Sequence, residues 1–107
     1  MVERIDSKII EIVNRYIEEV KQYYNVNYVF LFGSFAKGTV QDDSDIDVAI
    51  VSSDIKGVYG ERLPLMRITR KVDLRIEPHP ISIDDYLNNA TSLVNEIKMH
   101  GIQLYAA

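Results

Sequence analysis

The sequence predicts an α/β (α+β) fold in which three or four strands form one small mixed sheet, with helices packed mainly on one face. Apolar residues recur at helical spacing through the first two dozen residues. Two later runs are short, aromatic and β-branched, which is typical of buried strands. Beyond them, helix-like and strand-like segments alternate to the end of the chain. One helix layer on one sheet is the simplest arrangement that buries both patterns.

The first three elements follow from hydrophobic periodicity. Apolar side chains at steps of three and four over residues 5–24 predict a long first helix, which should end within residues 25–27. Residues 28–32 read Tyr-Val-Phe-Leu-Phe and predict a strand buried on both faces, ended by Gly33. Residues 46–51 predict a second strand of the same kind.

The next segment predicts a helix and a third strand. Residues 58–71 mix apolar and basic side chains as a helix does, although Pro64 must lie in its first turn or bend it. Apolar and polar side chains alternate over residues 72–77, which predicts a third strand with one apolar face. Pro78 and Pro80 should end that strand.

Three short elements complete the prediction. A short helix is capped by Ser82 or Asp84. Residues 91–99 place apolar side chains on one helical face before a glycine stop at Gly101. A final short strand is expected over residues 102–105.

Composition limits the class of protein. The chain has 107 residues, of which 47% are hydrophobic and 26% charged, so a single domain over residues 1–107 is expected. It has no cysteine, which excludes disulfides and thiolate metal sites and favours the reducing cytoplasm. Neither an export signal nor a run of eighteen apolar residues is present, so no membrane insertion is expected. The net charge of −4 disfavours binding to the phosphate backbone of a nucleic acid.

Charge is unevenly distributed along the chain. Residues 41–54 contain five aspartates and no basic residue, whereas residues 56–75 hold six of the twelve basic residues and only two acidic ones. Carboxylates bind cations, and guanidinium groups bind phosphate oxygens directly. The two stretches together therefore suit a polyanion that is held through metal ions.

The segment between the first two strands carries the chemistry. Gly33 and Ser34 follow a buried strand, where backbone N–H groups and a hydroxyl can bind phosphate. Asp45 and Asp47 begin the next strand two residues apart, so their carboxylates project on the same side, about 7 Å apart along the backbone. Asp73 lies on the polar face of the predicted third strand and can supply a third carboxylate. A divalent cation is the natural reason for three carboxylates to converge.

Residues 33–54 also resemble two other motifs. Gly33 and Gly38 have the spacing of a Walker A loop, but Thr39 stands where the phosphate-binding lysine belongs. The aspartates resemble the ligands of an EF-hand loop, but Val48 occupies the position of the required glycine. Residues 42–47 can also be simple turn and cap residues, which are common in loops.

The run GSFAKGTVQDDSDIDVAIV, residues 33–51, resembles the signature of the DNA polymerase beta-like nucleotidyltransferase superfamily. It is most similar to the minimal nucleotidyltransferases of the MntA-like antitoxin type. Residues 72–74, Val-Asp-Leu, match the strand that carries the third carboxylate of the family. Lys37 stands where many relatives have arginine, which keeps the charge but loses the planar fork. The resemblance implies a polymerase beta-like nucleotidyltransferase fold.

The resemblance also implies an activity and a set of site residues. Such enzymes bind a nucleoside triphosphate with magnesium, transfer the nucleoside monophosphate to a hydroxyl and release pyrophosphate. The residues implied for binding the triphosphate are Gly33, Ser34 and Lys37. The residues implied for catalysis and for two magnesium ions are Asp45, Asp47 and Asp73.

The acceptor implied by the resemblance is a hydroxyl of a partner protein that receives AMP from ATP. By the same resemblance the partner is a helical HEPN-type toxin, and this chain is its antitoxin. Two alternatives stay open: a catalytically silent module that neutralises a toxin by contact, and a transferase for a small molecule such as an antibiotic. The short chain leaves little room for a lobe that would bind a small acceptor.

Three residues near the predicted site have no assigned role. Arg75 and Glu77 share the polar face of the predicted third strand, where they can form a surface ion pair or contact substrate. His79 follows that strand and lies close to the expected site.

Overall fold

The computed structural model describes residues 7–37, 44–56 and 58–107, with side chains described for these ranges apart from residues 35, 37 and 58–60. Helices and strands alternate along it, except that two helices precede the last strand. The helices are α1 (Ser7–Val20), α2 (Ser34–Lys37), α3 (Val58–Thr69), α4 (Ile83–Leu87) and α5 (Ser92–His100), and the strands are β1 (Val26–Phe32), β2 (Ile46–Ser52), β3 (Ile76–Ser82) and β4 (Ile102–Ala106).

The strands form one mixed sheet in the order β3-β2-β1-β4, which confirms the predicted class of fold. β1 runs antiparallel to both β2 and β4, whereas β2 and β3 are parallel. In this register Phe32 lies opposite Asp47, and Asp47 lies beside Glu77. The end of β1 and the starts of β2 and β3 therefore meet at one end of the sheet, which we call the Asp47 end.

Each face of the sheet is covered by helices. Side chains such as Val29, Leu31 and Val48 point to the face that packs against α1 and α3, the two longest helices. The neighbouring side chains, such as Phe30 and Ala49, point to the opposite face and pack against α4 and α5. The apolar stripe predicted for α1 is buried as expected, at Ile9, Val13, Tyr16, Ile17 and Val20. The main helix layer thus lies on one face, and a smaller layer covers the other.

Local interactions account for several helix boundaries. Ser82 caps α4 by accepting a hydrogen bond from the backbone N–H of Asp85, and Thr91 caps α5 in the same way. The chain leaves α5 at Gly101, whose N–H donates to the carbonyl of Ile97. These helices and their caps agree with the sequence analysis. Pro64 lies inside α3, beyond its first turn.

The third strand differs from its prediction. The alternation over residues 72–77 predicted a strand that Pro78 and Pro80 would end, and this prediction is wrong. The strand β3 is Ile76–Ser82 and contains both prolines. Leu74 lies in the preceding turn and is exposed. The edge position of β3 explains why it tolerates proline. The carbonyl of Arg75 accepts a hydrogen bond from Ile46 of β2, so the backbone N–H positions of residues 76, 78 and 80 point away from β2. A proline at 78 or 80 therefore removes no hydrogen bond between β3 and β2.

Among the helices of the described ranges, none combines the length and the apolar character that crossing a membrane requires.

Candidate active site

Three potential metal ligands converge at the Asp47 end of the sheet. Asp47 lies on β2, and Glu77 and His79 lie on β3; the parallel register directs all three side chains to the same face. The Nε2 atom of His79 is 3.1 Å from Oδ1 of Asp47 and 3.8 Å from Oε1 of Glu77. One ligand atom from each residue lies within 4.8 Å of those from the other two. We call these residues the DEH cluster.

The surroundings of the DEH cluster hold it in place and leave it accessible. The ring of Phe32 packs edge to face on the imidazole of His79, with 4.9 Å between ring centroids. Nη2 of Arg62 donates to Oε2 of Glu77 at 3.5 Å. The side chains of Asp47 and His79 are 22% and 20% exposed, so a ligand can reach them from solvent.

Gly33 shapes the turn beside the cluster. Its φ of +74° is in the left-handed region, which favours glycine. A Cβ on this residue would collide with Oδ2 of Asp47. Gly33 is therefore needed both for the turn after β1 and for the position of the Asp47 carboxylate. Ser34 follows it directly and begins α2.

The other predicted residues of the acidic loop are less tightly placed. Asp45 lies exposed just before β2 and is not part of the DEH cluster. Lys37 ends α2, but its side chain, with the rest of the predicted loop over residues 38–43, lies outside the described part of the structure.

Asp73 lies away from the strand position predicted for it. It lies in the turn before β3, where Arg75 donates three hydrogen bonds to its carboxylate. Oδ1 of Asp73 accepts from the backbone N–H of Arg75 at 2.8 Å and from Nε of Arg75 at 3.1 Å, and Oδ2 accepts from Nη2 of Arg75 at 3.0 Å. These side-chain hydrogen bonds from Arg75 hold the pKa of Asp73 below its usual value. The described structure does not bring Asp73 into the DEH cluster. The carboxylate beside Asp47 belongs instead to Glu77.

Sequence reasoning assigned no role to Glu77 or His79. The segment Ile76-Glu77-Pro78 places an acid between two apolar residues, as does the segment around Asp73, so the local pattern fits both acids. Only the pairing of β3 with β2 distinguishes them.

Comparison with known proteins identifies the class. The family described as polymerase beta, nucleotidyltransferase, matches residues 8–107. The chain therefore belongs to this family and is a nucleotidyltransferase.

One relative and two solved structures are similar to this chain. The relative is MJ0141 of Methanocaldococcus jannaschii, provisionally assigned as a protein adenylyltransferase; it is 24% identical over 91% of this chain and 99% of its own length. A provisionally assigned nucleotidyltransferase from Sulfolobus solfataricus has a TM-score of 0.67 and 20% identity, covering 92% of this chain and 81% of the other. A structure of a tri-AMPylated HEPN toxin of Shewanella oneidensis in complex with an MNT antitoxin contains a chain that matches with a TM-score of 0.61 and 19% identity. The match covers 92% of this chain and 73% of that chain. The two structures share the fold.

The donors at the Asp47 end suit the divalent cation that this family uses. Two carboxylates supply hard oxygen atoms, and His79 supplies a nitrogen atom. Asp45 is exposed two residues before Asp47 and offers a further carboxylate.

Proposed function

We propose that this chain transfers AMP from ATP to a hydroxyl of a partner protein, in a magnesium-dependent reaction that releases pyrophosphate. We further propose that the partner is a helical HEPN-type toxin and that this chain is its antitoxin. The observation that carries the proposal is the convergence of Asp47 and Glu77 beside the Gly33 turn, in a chain of the nucleotidyltransferase family. The assignment of MJ0141 and the AMPylated toxin complex support the choice of AMP and of a protein acceptor.

We assign the carboxylates as follows. Asp45 and Asp47 would hold magnesium, as the resemblance to the family implies. Glu77 takes the place of the third carboxylate because it lies beside Asp47 on the neighbouring strand. Asp73 remains the alternative, although it is bound to Arg75 in this structure. Magnesium bound there would neutralise charge on the triphosphate and on the leaving pyrophosphate.

The remaining steps belong to side chains and to the acceptor. The oxygen of the acceptor hydroxyl forms a bond to the α-phosphorus, and the bond from that phosphorus to the pyrophosphate oxygen breaks. The Glu77 carboxylate accepts the hydroxyl proton. Arg62, which donates to the other oxygen of Glu77, keeps this carboxylate turned to the Asp47 end of the sheet. Gly33, Ser34 and Lys37 are proposed to bind the triphosphate.

The acceptor must supply much of its own docking surface, since the chain has no second lobe in its described part. The exposed side of α3 offers a surface for it. Leu63 and Met66 are 57% and 42% exposed, and Arg67 and Arg70 lie exposed nearby in sequence. An acidic protein face with apolar contacts complements this surface. The absence of cysteine is consistent with our proposal that the pair acts in the cytoplasm.

The test is to express the chain with the helical protein encoded next to it and to measure the intact mass of that protein. With ATP and magnesium we expect additions of about 329 Da per AMP unit on a hydroxyl side chain. Chelation of magnesium should abolish the additions. If the mass of the partner never changes although the two proteins form a complex and the partner is neutralised, the chain acts by contact alone.

Three variants separate the two candidates for the third carboxylate. Glu77→Gln should lower the rate of transfer at least about 100-fold, because it removes the negative charge beside Asp47 and the proton acceptor. Asp73→Asn should keep most of the activity. Glu11→Gln, an exposed glutamate of α1, is the matched control. The reverse result, with activity lost in Asp73→Asn and kept in Glu77→Gln, returns the role to Asp73.

A further inference from the structure

We infer that His79 is a direct metal ligand, so that the DEH cluster binds a first-row transition cation such as Mn²⁺ in preference to Mg²⁺. The inference deepens the proposed function and rests on it for the role of the metal in catalysis. The binding itself follows from side chains of β2 and β3 and can be measured without any nucleotide or partner.

The distances within the cluster match those between ligands of one ion. Metal–ligand bonds of about 2.1 Å place neighbouring ligand atoms roughly 3.0 Å apart in octahedral and 3.4 Å apart in tetrahedral coordination. Nε2 of His79 lies 3.1 Å from Oδ1 of Asp47 and 3.8 Å from Oε1 of Glu77. Small rotations of side chains that are 20–37% exposed bring all three atoms to a shared ion.

The orientation of His79 favours this role over that of a simple ion pair. Its Nε2 atom faces the carboxylates of both Asp47 and Glu77. A simple ion pair would require only one carboxylate. Contact with the ring of Phe32 limits the movement of the imidazole. The backbone of His79 is paired with Ala49 in the middle of the parallel ladder, so the side chain projects from a rigid strand. Preorganised ligands of this kind lose little entropy when a metal binds.

The donor types determine which cation is preferred. Mg²⁺ is a hard cation that takes oxygen ligands and keeps several water molecules. An imidazole nitrogen suits the transition cations, whereas carboxylates suit Mg²⁺ and Mn²⁺ alike. A site with two carboxylates and one imidazole therefore gains affinity for Mn²⁺ that a site made of carboxylates alone does not have.

Pulsed EPR of Mn²⁺ bound to the full chain, without nucleotide, tests the inference directly. A ligating imidazole gives a ¹⁴N coupling that a nearby but unbound ring does not give. We expect this coupling in the unmodified chain and in His100→Gln, which changes the exposed histidine at the end of α5. It should disappear in His79→Gln. Mn²⁺ bound to the unmodified chain without a nitrogen coupling overturns the inference, and this measurement requires no variant to fold.

Titration of each cation provides a second readout. His79→Gln should weaken Mn²⁺ binding at least about tenfold and change Mg²⁺ binding much less, so that the ratio of the two affinities falls. His79→Asp should restore binding but favour Mg²⁺, because all donors are then oxygen. An unchanged ratio in both variants overturns the inference. If the nitrogen coupling is found but no AMP is transferred with either cation, the metal site stands and the proposed function fails.

Discussion

Replacement of Gly33 by alanine should damage both the fold and the site, because one added methyl group meets two constraints. The φ of +74° costs a residue with a Cβ about 1–2 kcal/mol relative to glycine. The same Cβ would collide with Oδ2 of Asp47, so this carboxylate must move away from its contact with His79. We therefore expect a loss of at least 1–2 kcal/mol in the free energy of unfolding, in line with the usual backbone cost.

The assay combines thermal unfolding with metal binding. For a domain of this size, 1 kcal/mol lowers the Tm by roughly 4–8 °C, so Gly33→Ala should lower it by about 5–15 °C. A shift of about 1 Å in a catalytic group can cost on the order of 100-fold in rate, so AMP transfer should fall by at least that much in folded Gly33→Ala protein. The affinity for Mn²⁺ should fall as well.

Gly101→Ala is the matched control. A Cβ at Gly101 would lie 2.6 Å from the carbonyl oxygen of Ile97, so this variant also loses stability. It alters the junction of α5 and β4 and leaves the DEH cluster intact, so its Mn²⁺ affinity should stay within about threefold of the unmodified value below its own Tm. If Gly33→Ala keeps its Tm and its Mn²⁺ affinity, or if both variants lose metal binding equally, the described contact between Gly33 and Asp47 is not what positions the carboxylate.

Three further predictions concern stability. Thr91→Ala removes the N-cap of α5 and should cost about 1 kcal/mol, measured by urea unfolding. Tyr16→Phe removes the buried hydrogen bond to the carbonyl of Leu65 and should cost about 1 kcal/mol in the same measurement. The pKa of Asp73 is lower when folded than when unfolded, because Arg75 binds the ionised form. Its contribution is therefore present above the unfolded pKa and is lost as the pH falls through the folded pKa. Asp73→Asn should destabilise the protein at pH 7 but have little effect at the acid end of an unfolding series, and equal losses at both pH values would contradict this assignment.

Local sequence patterns predicted α1, β1, β2 and α5 correctly, because the residues that signal each of these elements also form it. The stripe of α1 is buried at the spacing that defines it, and the uninterrupted apolar runs of β1 and β2 lie in the middle of the sheet. Thr91 and Gly101 bound α5 as their types predict. In each case the residues that signal the element also form its contacts, so the sequence contains the needed information.

The prediction of the third strand was wrong because its position depends on contacts with residues that are distant in sequence. Val72 and Ile76 pack against the core while Leu74 is exposed in a turn, so the apparent alternation arises without a strand. Prolines normally end a strand, but they are tolerated in β3 because β3 lies at the edge of the sheet. The residues of β3 alone do not indicate this edge position. The misplaced strand also bears on the site, because it put Asp73 beside the second strand, whereas the pairing of β3 with β2 puts Glu77 beside Asp47.

The same prolines restrict how a partner can approach. An exposed edge strand normally offers backbone donors to which another strand can pair. On the free edge of β3, Pro78 and Pro80 have no N–H to offer, and the N–H of Ile76 already donates to the carbonyl of Asp73. A partner therefore finds no ladder of donors beside the candidate site. Docking through side chains, on α3 or at the Asp47 end of the sheet, is the mode that this edge leaves. Under the proposed function, this mode would also bring an acceptor hydroxyl toward Glu77.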